Sequence, residues 1–148
     1  MIVPLDDLDR IIAVMDAAFD PDFGEAWNRR QVEDALVIGN CHYGLVFAEQ
    51  DCAGFFLSRT GADEEELLLL AVIPARRGCG HGAKLLEQFL GGARARGATR
   101  ALLEMREGNP AEHLYLRRQF VQIGCRPDYY RGRNGVRINA LTFACELS

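Results

Sequence analysis

The chain has 148 residues, 49% of them apolar and 26% charged, the balance of one globular domain with one core. Its five cysteines (41, 52, 79, 125 and 145) are scattered, odd in number and without a Cys-x-x-Cys pair, which speaks against a disulfide framework or a zinc site and for reduced thiols in a cytoplasmic protein. The net charge of −4 is uneven: residues 1–70 hold 15 Asp and Glu against 4 Lys and Arg, and residues 71–148 hold 6 against 13. An acidic part suits a cationic ligand and a basic part a polyanion; ordinary solvated faces explain the same counts.

Met1-Ile2-Val3-Pro4 runs at once into acidic residues, so no signal peptide is expected. Leu8, Ile11, Ile12, Met15 and Phe19 trace one helical face, which Pro21 and Gly24 end. Asn28 is placed to cap a second helix running to about Ile38, before Gly39-Asn40. Residues 43–49 and 52–59 flank Gln50-Asp51 as a hairpin. Residues 61–66 read as an acidic loop and 66–73 as a buried strand closed by Pro74. That apolar run is far too short to span a bilayer.

Arg77-Gly78-Cys79-Gly80-His81-Gly82 follows this strand and precedes Leu85, Leu86, Phe89 and Leu90 at helical spacing. Three glycines between a strand and a helix N-terminus let backbone N–H groups approach a ligand, and the helix end adds unpaired donors and partial positive charge. The stretch therefore suits a phosphate group; the alternative is a tight turn without ligand. Arg76 and Lys84 either face the phosphates or only solvent. The helix runs to Arg96 and stops at Gly97. Gly91-Gly92 within it costs roughly 2 kcal/mol relative to alanines, for which close packing on the sheet is one compensation. Residues 101–105 read as a strand, Asn109-Pro110 as the start of a short helix with Asn109 as cap, and 121–125 and 138–145 as final strands. The order implies a mixed α/β (α+β) sheet in a single domain spanning 1–148.

Arg77-x-x-Gly80-x-Gly82, then Leu103-Glu104-Met105-Arg106, Asn109, Leu114-Tyr115, Phe120 and Tyr129-Tyr130, resembles the GNAT N-acetyltransferase superfamily. The likeness covers roughly residues 5–146 and is densest over 67–130. Within the superfamily it resembles the branch that acetylates the N-terminal alanine of a small-subunit ribosomal protein. Departures are a spacing from Asn109 to Tyr115 one residue shorter than usual, Gln119 in place of a glycine, Ala26-Trp27-Asn28 in place of Pro-Trp-Ser, and Asn139 in place of an acidic residue. The resemblance also implies a first strand cut to about residues 1–3.

The resemblance implies a mostly antiparallel sheet flanked by helices and splayed between its fourth and fifth strands. It implies acetyl-CoA as co-substrate, no metal, and a basic protein or peptide N-terminus as partner, a ribosomal protein among the candidates, with neither nucleic acid nor membrane bound. Glu104 takes the role of general base; an ion-paired strand-end glutamate, with Arg106 as partner, is the plainer reading. Tyr115 takes the role of general acid, against a tyrosine packed beside Leu114 and Phe120. Leu70, Ala71 and Val72, the stretch Arg77, Gly78, Cys79, Gly80, His81 and Gly82, and Asn109 are implied to hold the cofactor. Trp27, Tyr129 and Tyr130 are implied to line the acceptor side. Asp63 to Glu66 is offered as a surface that steers a basic peptide. A small-molecule amine or a lysine as acceptor, and a non-catalytic acyl-CoA-binding module, remain alternatives.

Overall fold

The computed structural model describes residues 4–132 and 134–147, Leu5 by its backbone alone. The expected strand at residues 1–3 lies outside them. Helices α1 (Leu5–Ala18) and α2 (Arg29–Val37) come first. The hairpin β1 (Cys41–Ala48) and β2 (Asp51–Gly61) follows, then β3 (Glu64–Val72), α3 (His81–Ala95), β4 (Arg100–Arg106), α4 (Glu112–Arg117), β5 (Val121–Arg131) and β6 (Arg137–Glu146). Asn28 caps α2 as expected: its side chain accepts from the Gln31 N–H while the Gln31 side chain accepts from the Asn28 N–H. Asn109 also acts as a cap, its Oδ1 accepting from the Ala111 N–H at 2.9 Å, but the regular helix begins only at Glu112.

The strands form one six-stranded sheet in the order β1-β2-β3-β4-β6-β5. All neighbours are antiparallel except β3 and β4, whose parallel register covers only Glu64–Leu67 against Arg100–Leu103. The sheet splays here, between the third and fourth of the described strands, rather than between the fourth and fifth. Beside it, β2 and β3 slip register: Leu57 pairs with Leu69 and Ser58 with Leu67, leaving Leu68 as an extra residue in β3.

Helices cover both faces, so the core is two layers rather than one. Phe55, Leu57, Leu69 and Ala71 pack under Ile11, Met15, Val32 and Leu36 of α1 and α2. Phe56, Leu67, Leu103 and Phe143 pack under Leu85, Leu86, Phe89 and Tyr115 of α3 and α4. The Leu68 bulge lets Leu67 and Leu69 serve opposite cores.

The expected acidic loop at 61–66 is corrected. Only Ala62 and Asp63 form the turn, since Gly61 pairs directly with Glu64. The strand tolerates three successive glutamates because each meets an arginine: Glu64 with Arg100, Glu65 with Arg96 and Glu66 with Arg59. Glu65 is fully buried and also accepts from Ser58 Oγ at 3.0 Å and Thr60 Oγ1 at 2.8 Å. Burial pushes its pKa up, but the bonds from Arg96, Thr60 and Ser58 and the Arg96 charge outweigh it, and the carboxyl ends below its ordinary value.

Gly91 and Gly92 are not compensated by packing on the sheet. A Cβ at Gly91 would meet nothing, whereas one at Gly92 would lie 3.1 Å from the Arg96 guanidinium. Gly92 thus makes room for the arginine that neutralises Glu65. Gln119, the residue at a usual glycine position, has φ +69°, a left-handed conformation that explains the glycine and costs a side chain about 1 kcal/mol.

Removing one partner of a buried pair is far costlier than removing an exposed one. Arg96→Ala should lose about 3 kcal/mol in chemical denaturation, and Arg100→Ala about 0.5 kcal/mol. The Glu65 contribution is complete above the unfolded-state value near 4.5 and is lost as pH falls through the lower folded value, so the wild type should lose stability into acid more steeply than Arg96→Ala. Gln119→Gly should stabilise by about 0.5–1 kcal/mol.

Candidate active site

Beyond Leu67 and Leu103 the two strands no longer pair, and two cavities of about 690 Å³ each open along the seam. The first is built on the end of β3 and the start of α3. Leu70, Ala71, Val72, Arg77, Gly78, Gly80, His81, Gly82 and Asn109 all line it, as expected of a cofactor site. Gly78 and Gly80 have φ of +78° and +86°, which glycine alone adopts without strain. No side chain caps α3, so its first N–H groups stay available. Arg76 lines this cavity and Lys84 does not.

Two residues of the glycine stretch behave differently. Cys79 is exposed, does not line the cavity and turns its Sγ toward the Arg77 carbonyl at 3.7 Å. The Arg77 guanidinium donates to the carbonyls of Val72 at 3.2 Å and Ala18 at 2.9 Å, which braces the end of α1 against β3. Its side chain is therefore engaged within the fold, and its main chain borders the cavity.

The second cavity has Leu67 to Leu70 of β3 and Leu103 to Met105 of β4 as its floor. Glu25, Ala26 and Trp27 form one wall, and Arg126, Tyr129, Tyr130 and Arg131 of β5 the other. Trp27, Tyr129 and Tyr130, expected on the acceptor side, all line it. The two tyrosines meet edge to face at 5.1 Å. They stand on β5, which runs six residues further than expected and is irregular between Arg126 and Tyr130. Asn139 Oδ1 accepts from the Asp128 N–H at 3.0 Å and supports that irregularity from β6.

The walls touch above the floor. A Cβ on Gly24 would lie 2.4 Å from the Arg131 carbonyl oxygen, and one on Gly132 would lie 1.9 Å from that of Asp22. Any side chain at Gly132 separates them.

Glu104 lines this second cavity, its side chain 18% exposed. Its Oε2 accepts from Arg126 Nε at 3.0 Å and Thr142 Oγ1 at 3.2 Å. The arginine partner is thus Arg126 and not Arg106. Tyr115 lines both cavities, so the shortened spacing from Asn109 leaves it facing the seam. Burial first, and the Glu25 charge second, push its phenol well above the ordinary value, so it keeps its proton at neutral pH.

Glu25 had no place in the sequence reading. Its Oε1 accepts from Arg106 Nε at 3.0 Å and its Oε2 from Asn109 Nδ2 at 3.4 Å. Arg106 in turn lies over the Phe23 ring, 3.9 Å from its centroid. Burial pushes the Glu25 pKa up, and the Arg106 charge with the two hydrogen bonds only partly reverses this. Its place two residues before Trp27, in a segment broken by Pro21 and Gly24, was the available signal. Arg126 left none.

Of the run Asp63 to Glu66, offered as a steering surface, Glu64, Glu65 and Glu66 are ion-paired, and only Glu66 lines the cleft. Cleft carboxylates Glu25, Glu66 and Glu104 each have an arginine within 3.0 Å.

Residues 12–120 match the profile of the Acetyltransferase (GNAT) family. The chain belongs to the GNAT family. It is 36% identical over 94 residues to the [Ribosomal protein bS18]-alanine N-acetyltransferase of Haemophilus influenzae, an alignment covering 64% of either chain, so it spans just under two thirds of that relative. It is 37% identical over 111 residues to the enzyme of the same name from Haemophilus ducreyi, across 74% of this chain and 77% of the relative. The crystal structure of the ribosomal-protein-S18-alanine N-acetyltransferase from Escherichia coli superposes with a TM-score of 0.86 at 24% identity, covering 99% of this chain and 91% of that one, which shows the GNAT fold throughout.

In this GNAT chain the contact between the 20–27 segment and the end of β5 is the most easily broken part of the site. Gly132→Ala should separate the walls, lower stability by about 1–3 kcal/mol, and shift the emission of Trp27, the only tryptophan, to longer wavelength.

Proposed function

We propose that the protein transfers an acetyl group from acetyl-CoA to the α-amine of a protein N-terminus, an N-terminal alanine of a ribosomal protein being the acceptor best supported by its relatives. The observation that carries this reading is the meeting of two cavities at one seam, where Phe19, Glu25, Leu70, Asn109 and Tyr115 line both. One cavity presents free backbone donors and basic side chains to a pyrophosphate. The other carries Glu104 and Tyr115 beside the wall contact of Gly24 and Arg131.

The donor site needs no side-chain chemistry. The glycine turn and the first turn of α3 hold the pyrophosphate, with Arg76 alongside. The edge of β3 past Leu67, unpaired toward β4, offers main-chain groups to the amides of the pantetheine arm. A backbone N–H there can accept the charge that develops on the thioester oxygen.

In the reaction, Glu104 takes a proton from the acceptor ammonium. The neutral amine attacks the thioester carbon, forming the C–N bond, and collapse of the tetrahedral intermediate breaks the C–S bond. Tyr115 gives its proton to the departing thiolate and regains one from the nitrogen as the amide forms. The high pKa of Tyr115 keeps it in the acid form. Arg126, paired with Glu104, must yield room as the ammonium arrives.

Glu104→Gln and Tyr115→Phe should each lower kcat by about 10²–10³-fold, with the KM for acetyl-CoA within about threefold. Mass spectrometry of a peptide beginning with alanine reports the modified nitrogen. Because the Tyr115 pKa is raised, wild-type kcat should show no alkaline loss from this group below about pH 10. The paired cleft carboxylates predict that rates with a basic peptide change by less than about threefold between 50 and 300 mM salt; a steep fall would restore electrostatic steering.

A further inference from the structure

The reacting nitrogen has to stand where the two cavities join, because only there can it reach a thioester held in the first. Phe19, Leu70, Asn109 and Tyr115 are uncharged, and Glu25 is the one charged side chain among the five residues lining both cavities. Glu104 and Glu66 line the acceptor cavity alone. We propose that Glu25 anchors the acceptor α-ammonium at the junction, through the carboxylate edge that Arg106 leaves open. This rests on the reading of the acceptor as a terminal amine.

The hydrogen-bond inventory supports it. A carboxylate offers about four acceptor positions. Glu25 uses one oxygen for Arg106 Nε at 3.0 Å, and its Oε2 receives only the long 3.4 Å contact from Asn109 Nδ2. Its side chain is 11% exposed, so water replaces the missing donors poorly. Burial raises its pKa more than Arg106 and Asn109 lower it, and an ammonium would bring three further donors. Glu25 is also rigidly placed. Arg106 is the last residue of β4 and is sandwiched against Phe23, while Asn109 is tied by its Oδ1 to the Ala111 N–H. Anchor and base are therefore different groups: Glu25 fixes the nitrogen, and Glu104, approaching from the acceptor side, removes its proton.

Two peptides separate the roles, one beginning with alanine and one in which propionyl replaces alanyl, so that only the amine is missing. Binding to the full chain in the presence of coenzyme A is followed by Trp27 emission and by calorimetry. Wild type should prefer the amino peptide by about tenfold. Glu25→Gln should reduce the preference to about onefold while holding the propionyl peptide within about twofold of wild type. Glu25→Asp should keep part of the preference, and Glu104→Gln should keep more of it than Glu25→Gln. A Glu25→Gln protein that still prefers the amino peptide, or that loses both peptides equally, overturns the anchor; the second result assigns Glu25 a purely structural role. A wild type that acetylates the peptide without preferring the amine overturns the anchor and leaves the acetyltransferase reading standing. A wild type that neither binds nor acetylates any peptide overturns both.

Discussion

Four residues of parallel pairing between β3 and β4 are the constraint on which this molecule depends. Were the pairing longer, Leu68 to Val72 would bond to β4 and no seam would exist. Were it shorter, the sheet would fall into two halves. The Leu68 bulge sits where the pairing stops, adding one residue to β3 and turning its continuation away. Everything functional is hung on the divergence. The cavity at the glycine turn uses the freed edge of β3, the cavity beside β5 uses the freed face of β4, and Tyr115 lines both from α4.

The paired end must resist that divergence, and it does so with charge. Glu65 lies on β3 beside the last paired residues, fully buried, and ties Ser58 and Thr60 of β2 and Arg96 beyond α3 to one carboxylate. Glu64 and Arg100 clamp the first residues of β3 and β4 directly. The cost of burying a carboxylate is offset by four hydrogen bonds with favourable partners. Gly92, weak as a helix former, belongs to the same device because its missing side chain is where the Arg96 guanidinium lies. What a propensity scale reads as a flaw in α3 is a space made for an ion pair.

Much of the lining of the cavity at the glycine turn was legible in sequence because it is local: the strand, the glycine turn and the helix start are consecutive, so one stretch of chain brings them together. The second cavity was less legible because it is made by pairs distant in sequence. Glu25 gains meaning only from Arg106 and Asn109, more than 80 positions away. Arg126 is one surface arginine among many until β5 brings it to Glu104. The charge counts were a poor guide for the same reason: among the described residues the acidic first part and the basic second part meet in three ion pairs, Arg96 with Glu65, Arg100 with Glu64 and Arg106 with Glu25, which no count by segment reveals. The acidic loop failed as a reading because a polar run is expected to be solvated, and only the fold could supply its arginines.

The two-layer core has a consequence for how such a chain changes over generations. The walls of the second cavity are the 20–27 segment, rooted in the layer beneath α1 and α2, and the end of β5 at the rim of the sheet. The first cavity belongs to the turn between β3 and α3. Residues of the walls can therefore be exchanged without repacking the glycine turn, provided that Gly24 and Gly132 continue to let the walls meet. On the proposed function, one scaffold can hold a constant donor grip while its choice of amine drifts, and the positions free to drift are those least visible in any short motif.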